Sequence, residues 1–120
     1  MYHYEKAIGL TEDFFFWKKD DSSDERSALW EKQRQVFGFD ERETWGLNIV
    51  IAAFVYPRLK MFAENTNSVP LGMTLTEWRG ILGKMERAFE MILTDYAETH
   101  CEEVEEGLDL FRKYFFNLWD

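Results

Sequence analysis

The stretch Thr74-Leu75-Thr76-Glu77-Trp78-Arg79-Gly80-Ile81-Leu82-Gly83-Lys84-Met85-Glu86-Arg87-Ala88-Phe89-Glu90-Met91-Ile92-Leu93-Thr94-Asp95-Tyr96 decides the fold. Trp78, Leu82, Met85, Phe89, Ile92 and Tyr96 recur at alternating steps of four and three, the narrow stripe with which one helix packs on another. Thr74 and Glu77 stand at the spacing of a capping box, in which each side chain satisfies a free amide at the helix start. The spacing predicts a helix that begins at Thr74 and is paired along its length.

Downstream, the stripe can be carried on through His100, Val104, Leu108, Phe111, Phe115 and Leu118, but Gly107 and an acid-rich interval weaken it. Either one long helix or a break between Thr99 and Gly107 is expected. Upstream, Glu64 to Met73 has loop composition, with Asn65, Asn67, Ser68, Pro70 and Gly72, and reads as the main hinge between two halves. Before it, Trp45, Leu47 and the run Ile49 to Tyr56 are apolar on nearly every side of a helix capped by Asp40, which predicts the buried centre of a bundle. Pro57 should kink or break that helix between Val55 and Arg58, after which it resumes through Leu59, Met61 and Phe62.

A first helix should start at Ser23 or Asp24 and stop at Gly38, with Leu29, Trp30, Val36 and Phe37 as its apolar side. Residues 1–23 read as an arm in which Phe14, Phe15, Phe16 and Trp17 are too many adjacent aromatics for one helix face. The expected fold is all-α: a small helical bundle with a buried, Pro-kinked central helix and a long C-terminal helix or helix pair. It forms a single domain over 1–120, divided into the arm 1–23, a helical core 24–96 and an acidic, aromatic C-terminal helix 97–120.

Composition narrows the functions. A chain of 120 residues with 46% hydrophobic content can bury one core. A net charge of −9 repels nucleic-acid phosphates and anionic membranes, so neither is expected as a direct partner. No apolar run approaches the ~18 residues that cross a bilayer, and Met1 to Glu5 lacks the pattern of a signal peptide, so a cytoplasmic location is expected. Cys101 stands alone, which forbids an internal disulfide and a Cys-rich zinc site.

The interval from Glu98 to Asp109 holds six carboxylates, Glu98, Glu102, Glu103, Glu105, Glu106 and Asp109, with no Lys or Arg among them. Glu102, Glu103, Glu106 and Asp109 compress into one segment the Glu-Glu-x-x-Glu and Glu-x-x-Asp elements that helical nucleotide pyrophosphohydrolases carry on separate helices. Because the elements overlap on Glu106, they cannot face each other across a magnesium site. His100 and Glu103 share a helix face, but a transition metal needs three or four convergent ligands. No nucleophile elbow or phosphate loop is present, and Gly80 and Gly83 lie inside the predicted helix, where close packing is the simpler reason for them. No catalytic residue, metal or cofactor is therefore assigned. Arg58, Lys60, Arg79, Lys84 and Arg87 read as a solvated face balanced by Glu64, Glu77, Glu86 and Glu90.

From Gly38 to Glu90 the chain resembles a family of small bacteriophage proteins. The match rests on Trp45-Gly46-Leu47, Ile51-Ala52-Ala53-Phe54, Pro57-Arg58-Leu59-Lys60 with Phe62, Glu77-Trp78, Ile81-Leu82, Lys84-Met85 and Ala88-Phe89-Glu90. The resemblance implies phage origin and a helix-pair core, and brings no catalytic motif; relatives often carry an acid where this chain has Asn48. Joined to the negative charge, it leads to an expected acidic binding protein that acts in the host cytoplasm. Such a protein would block a basic host protein, most simply a defence nuclease in the manner of an anti-CRISPR inhibitor. The six carboxylates would engage Lys and Arg of that partner, with Phe14, Phe15, Phe16, Trp17, Tyr114, Phe115, Phe116 and Trp119 as aromatic anchors. The alternatives are a structural or assembly protein that self-associates into a homo-oligomer through its aromatic ends, and a metal-dependent nucleotide hydrolase.

Overall fold

The structure, a computed structural model, describes residues 23–94 and 101–120. Among them are four α-helices and no strand: α1 (Ser27–Phe37), α2 (Leu47–Asn65), α3 (Leu75–Thr94) and α4 (Glu102–Lys113), with short 3-10 turns at Glu41–Thr44 and Phe115–Asn117. The fold is all-α, as expected. The chain forms two compact units, Met1–Val50 and Ile51–Asp120. The connection at 66–74, read from composition as a hinge between halves, lies inside the second unit.

In the first unit, α1 ends as its sequence predicts, with Gly38 in the left-handed region at φ 83° and its N–H bonded to the Arg34 carbonyl. Its start lies later than expected: the first helical residue is Ser27, and the Asp24 carboxylate accepts from the Arg26 N–H at 2.9 Å and pairs with its guanidinium. The predicted apolar side is not a buried side. Only Trp30 is buried; Leu29, Val36 and Phe37 are exposed.

The second unit is built around α3. Thr74 caps the helix by accepting the Glu77 N–H at 3.1 Å, but the Glu77 carboxylate accepts from the Thr74 hydroxyl and not from its backbone N–H, so one half of the predicted capping box is present. Trp78, Leu82, Met85, Phe89 and Ile92 are all buried, joined by Ala88 and Leu93, while Tyr96 lies outside the described residues. Helix α4 packs along α3, and the two described helices realise the expected C-terminal helix pair.

Gly107 marks the point of closest approach. A Cβ added there would collide with the Ala88 Cβ and lie 2.6 Å from the Lys84 carbonyl oxygen. The residue expected to weaken the helix is instead buried in the middle of α4, where only a missing side chain lets the backbones meet. At Gly80 and Gly83 the expectation of close packing fails, because an added Cβ would meet none of the described residues within 4 Å.

Helix α2 corrects the reading of a buried centre. It passes through Pro57 without a break. One face, Ala52, Tyr56 and Leu59, is buried, but Leu47, Ile51, Phe54 and Met61 are exposed, so it is not a wrapped central helix. An apolar residue on every side predicts burial only if every side finds a neighbour.

Candidate functional site

The acids assigned from sequence fall on α4, whose geometry separates them. Val104 and Gly107 are buried toward α3, while Glu102, Glu105, Glu106 and Asp109, at steps of three, one and three, are exposed, Glu106 on the side next to Lys84 of α3. These four line a shallow surface depression with Leu110, Arg112 and Lys113. The acids occupy the N-terminal half of the helix and the two cations its last turn, the order that the helix dipole favours. Local helix electrostatics therefore accounts for some of the charge pattern without any partner.

The six predicted acids are not equivalent. Glu106 accepts from the Lys84 ammonium at 2.7 Å, and Glu103 stands 3.8 Å from the Arg87 Nε, itself paired with Glu90 at 3.3 Å. These two face α3 across a small cleft floored by Gly80 and Gly83, and their charge is already answered. Glu102, Glu105 and Asp109 remain as the outward carboxylates of α4, and Glu98 lies outside the described residues. Among the described residues no group of three His, Cys, Asp or Glu side chains could hold a metal ion. The four carboxylates of the compressed hydrolase pattern all stand on this one helix.

The aromatic assignments also divide. Tyr114 is partly buried and stands edge-on against the buried Trp78 at 5.5 Å between ring centroids, so it is engaged within the chain. A ladder of edge-on rings runs outward from Phe89 to Phe111 at 5.0 Å, to Phe115 at 5.8 Å and to Phe116 at 5.5 Å. Its outer end is open: Phe116 is 87% exposed and Trp119, nearby in sequence, 71%. Phe14, Phe15, Phe16 and Trp17 lie outside the described residues.

Sequence reasoning missed a second cluster, in the first unit. Asp40 is fully buried and serves as N-cap of the 3-10 turn, accepting the Arg42 N–H, while its own N–H donates to Glu43 at 3.0 Å. Its carboxylate also accepts from Arg34 Nη1 at 2.7 Å and from Arg42 Nε and Nη2 at 3.0 and 2.8 Å. The Arg42 and Arg34 guanidinium groups and the Arg42 amide hold the Asp40 carboxyl down at about 2, against its burial, which pushes the other way. The Arg42 guanidinium lies 4.2 Å from the centre of the buried Trp30 ring, whose N–H donates to Glu41. Every atom of the Asp40 carboxylate is engaged within the chain, so the cluster is a structural knot.

Arg58, read from sequence as part of a solvated basic face, folds back on α2. It lies 3.8 Å from the Phe54 ring centre and donates to the Phe54 carbonyl at 2.9 Å, near the backbone position where Pro57 supplies no N–H. Among the described residues no helix is long and apolar enough to cross a membrane. Compared with known proteins, the chain matches no family model, no curated protein and no solved structure.

Proposed function

We propose that the chain is a non-enzymatic binding protein that docks through the outward face of α4 onto basic side chains of another protein. The observation that carries this reading is the set Glu102, Glu105 and Asp109, exposed together and outside the ion pairs between α3 and α4. Phe116 and Trp119, exposed beyond the end of the same helix, supply apolar anchors that a charged face by itself lacks. Charge of one sign speeds and orients the encounter, and the desolvated rings then slow dissociation. On the phage resemblance, the partner is a basic host protein whose groove ordinarily takes nucleic acid, a defence nuclease being the case in view.

The test is capture of partners from a bacterial lysate by the whole chain, identified by mass spectrometry, beside a variant with Glu102, Glu105 and Asp109 changed to Lys. Glu103 and Glu106 stay untouched, so the α3 to α4 pairing is preserved. Capture of a basic protein that falls steeply with salt and is lost in the variant supports the reading; equal capture by both chains overturns it.

A second reading, a self-associating structural protein, draws on the same exposed Phe116 and Trp119. Changing both to Ser would abolish association by that route while leaving the acidic face intact.

A further inference from the structure

The end of α2, helix α3 and the segment after α4 meet at one side chain. Thr66, just past α2, is wholly buried; its N–H donates to the Phe62 carbonyl at 2.8 Å, and its own carbonyl accepts from Arg79 Nη2 at 3.4 Å. Its hydroxyl reaches a residue 54 positions on, donating to the Asp120 carboxylate at 2.9 Å. The same carboxylate oxygen accepts from the Ser68 N–H at 3.3 Å. The Asp120 carboxyl lies below its ordinary 3.8, held there first by the Thr66 hydroxyl, then by the hydroxyl and amide of Ser68 and the amide of Asn67. Four donors from one short loop thus converge on one acid.

The geometry at Thr66 also holds a second arrangement. Its hydroxyl lies 3.3 Å from the Ser68 carbonyl oxygen, and a hydroxyl has a single proton to donate. With Asp120 in place the shorter bond takes that proton; with Asp120 withdrawn it turns to the Ser68 carbonyl, two residues on, and closes a turn within the loop. A buried hydroxyl left without an acceptor would carry a desolvation penalty that holds the contact shut. Here the second acceptor removes that penalty, so the contact opens without orphaning a buried group.

What the contact holds is the segment that follows α4. The turn at Phe115–Asn117 is closed by local bonds, from the Asn117 N–H to the Tyr114 carbonyl and from the Leu118 N–H to the Phe115 carbonyl. Phe116 and Trp119 are exposed, so burial does not fix them. Asp120, next to Trp119, joins the segment to the loop after α2. We infer that Asp120 is an openable strap, which holds residues 115–120 to the loop at 66–68 and releases them when the Thr66 hydroxyl turns to the Ser68 carbonyl. Its use rests on the reading of Phe116 and Trp119 as anchors: the closed strap sets both rings before the encounter and spares the cost of ordering them on docking.

The experiment is NMR relaxation on the full, isotope-labelled chain with no partner added. In the parent, the amides of Leu118 and Trp119 should be nearly as ordered as those of α4, with order parameters of about 0.85, and Asp120→Ala should bring them below about 0.6. In that variant the Thr66 hydroxyl proton should still exchange with water within about threefold of the parent rate, because the Ser68 carbonyl now accepts it. Thr66→Val, which has no proton for either acceptor, should loosen the same residues, and Thr66→Ser, which keeps the hydroxyl, should not. Equal order at Leu118 and Trp119 in the parent and in Asp120→Ala overturns the strap, as does a folded Thr66→Val chain that keeps the parent order. A Thr66 hydroxyl proton that exchanges freely in Asp120→Ala overturns it as well, since the loop then has no second acceptor. Asp120 is exposed, so Asp120→Ala decides the matter even where Thr66→Val does not fold. These measurements are made on the free chain, so the strap and capture through α4 fail separately.

Discussion

Helices α1 and α3 each carry regularly spaced apolar residues, yet α1 buries only Trp30 while α3 buries seven side chains from Trp78 to Leu93. The units that contain them are held by different physics. Around α3 cohesion is apolar and close-packed, with Gly107 of α4 set against Ala88; around α1 it is ionic, with Arg34, Arg42 and Trp30 gathered about one buried carboxylate. A close-packed contact fails by volume and an ionic knot fails by charge, so each unit should respond to a perturbation that the other ignores.

The largest effect is expected from Asp40→Ala. It leaves the nearly buried Arg42 guanidinium without its bidentate partner and removes the cap of the 3-10 turn, at a cost of about 3 kcal/mol. The Asp40 carboxyl titrates at about 2 in the folded chain against an ordinary 3.8. Its stabilisation is thus complete above about pH 4 and drains away as pH falls toward 2, by about 2 kcal/mol in all. Urea denaturation between pH 2 and 7, followed by the fluorescence of Trp30 and Trp45, should show that slope in the parent chain and not in the variant. An equal slope in both would mean that another carboxylate governs acid unfolding of this unit.

Next comes Gly107→Ala. A generic glycine inside a helix should gain about 1 kcal/mol on becoming alanine. Here the new methyl must displace Ala88 and the Lys84 carbonyl, and the second of these is backbone that cannot swing aside. A net loss of about 2 kcal/mol is expected. Adding Ala88→Gly should recover some of it, since one of the two collisions is then gone. A Gly107→Ala chain more stable than its parent would show that α4 can slide on α3 at no cost. Neither substitution should alter the acid slope of Asp40.

These two sites also mark the limit of what could be read in advance. The cap at Thr74 and the stripe through Ile92 were legible because a helix start is local and a packed stripe is periodic. The stop at Gly38 was legible for the same reason. Gly107 was not: its local cost is visible in one dimension, but the benefit lies on another helix, so it read as a break. Asp40 read as the cap of the apolar helix, but it caps the 3-10 turn at Glu41–Thr44 before it, and its arginines, six residues before and two after, converge only through that turn. On α4 the six carboxylates read as one group, because Lys84 and Arg87, which answer Glu106 and Glu103, sit about one helix away in sequence.

The smallest effect should come from Glu86, which opposes Asp40 in sign. Glu86 is partly buried on α3, and its carboxyl is raised above its ordinary 4.5 chiefly by that burial, helped by Glu64 and Glu90 and opposed by Lys60. A carboxyl raised by folding costs stability wherever it is ionised, and the cost disappears as pH falls through its folded pKa toward 4.5. Glu86→Gln should therefore stabilise the chain at pH 7 by a few tenths of a kcal/mol, a figure kept small by water at the half-open site. The gain should shrink as pH falls, because the raised carboxyl takes up its proton and comes to resemble the amide. The opposite result, a loss at pH 7, would mean that Lys60 reaches Glu86 more closely than Glu64, which it now approaches at 3.9 Å. In that case Lys60→Met would remove the difference between Glu86 and Gln, and α2 would be tied to α3 by charge.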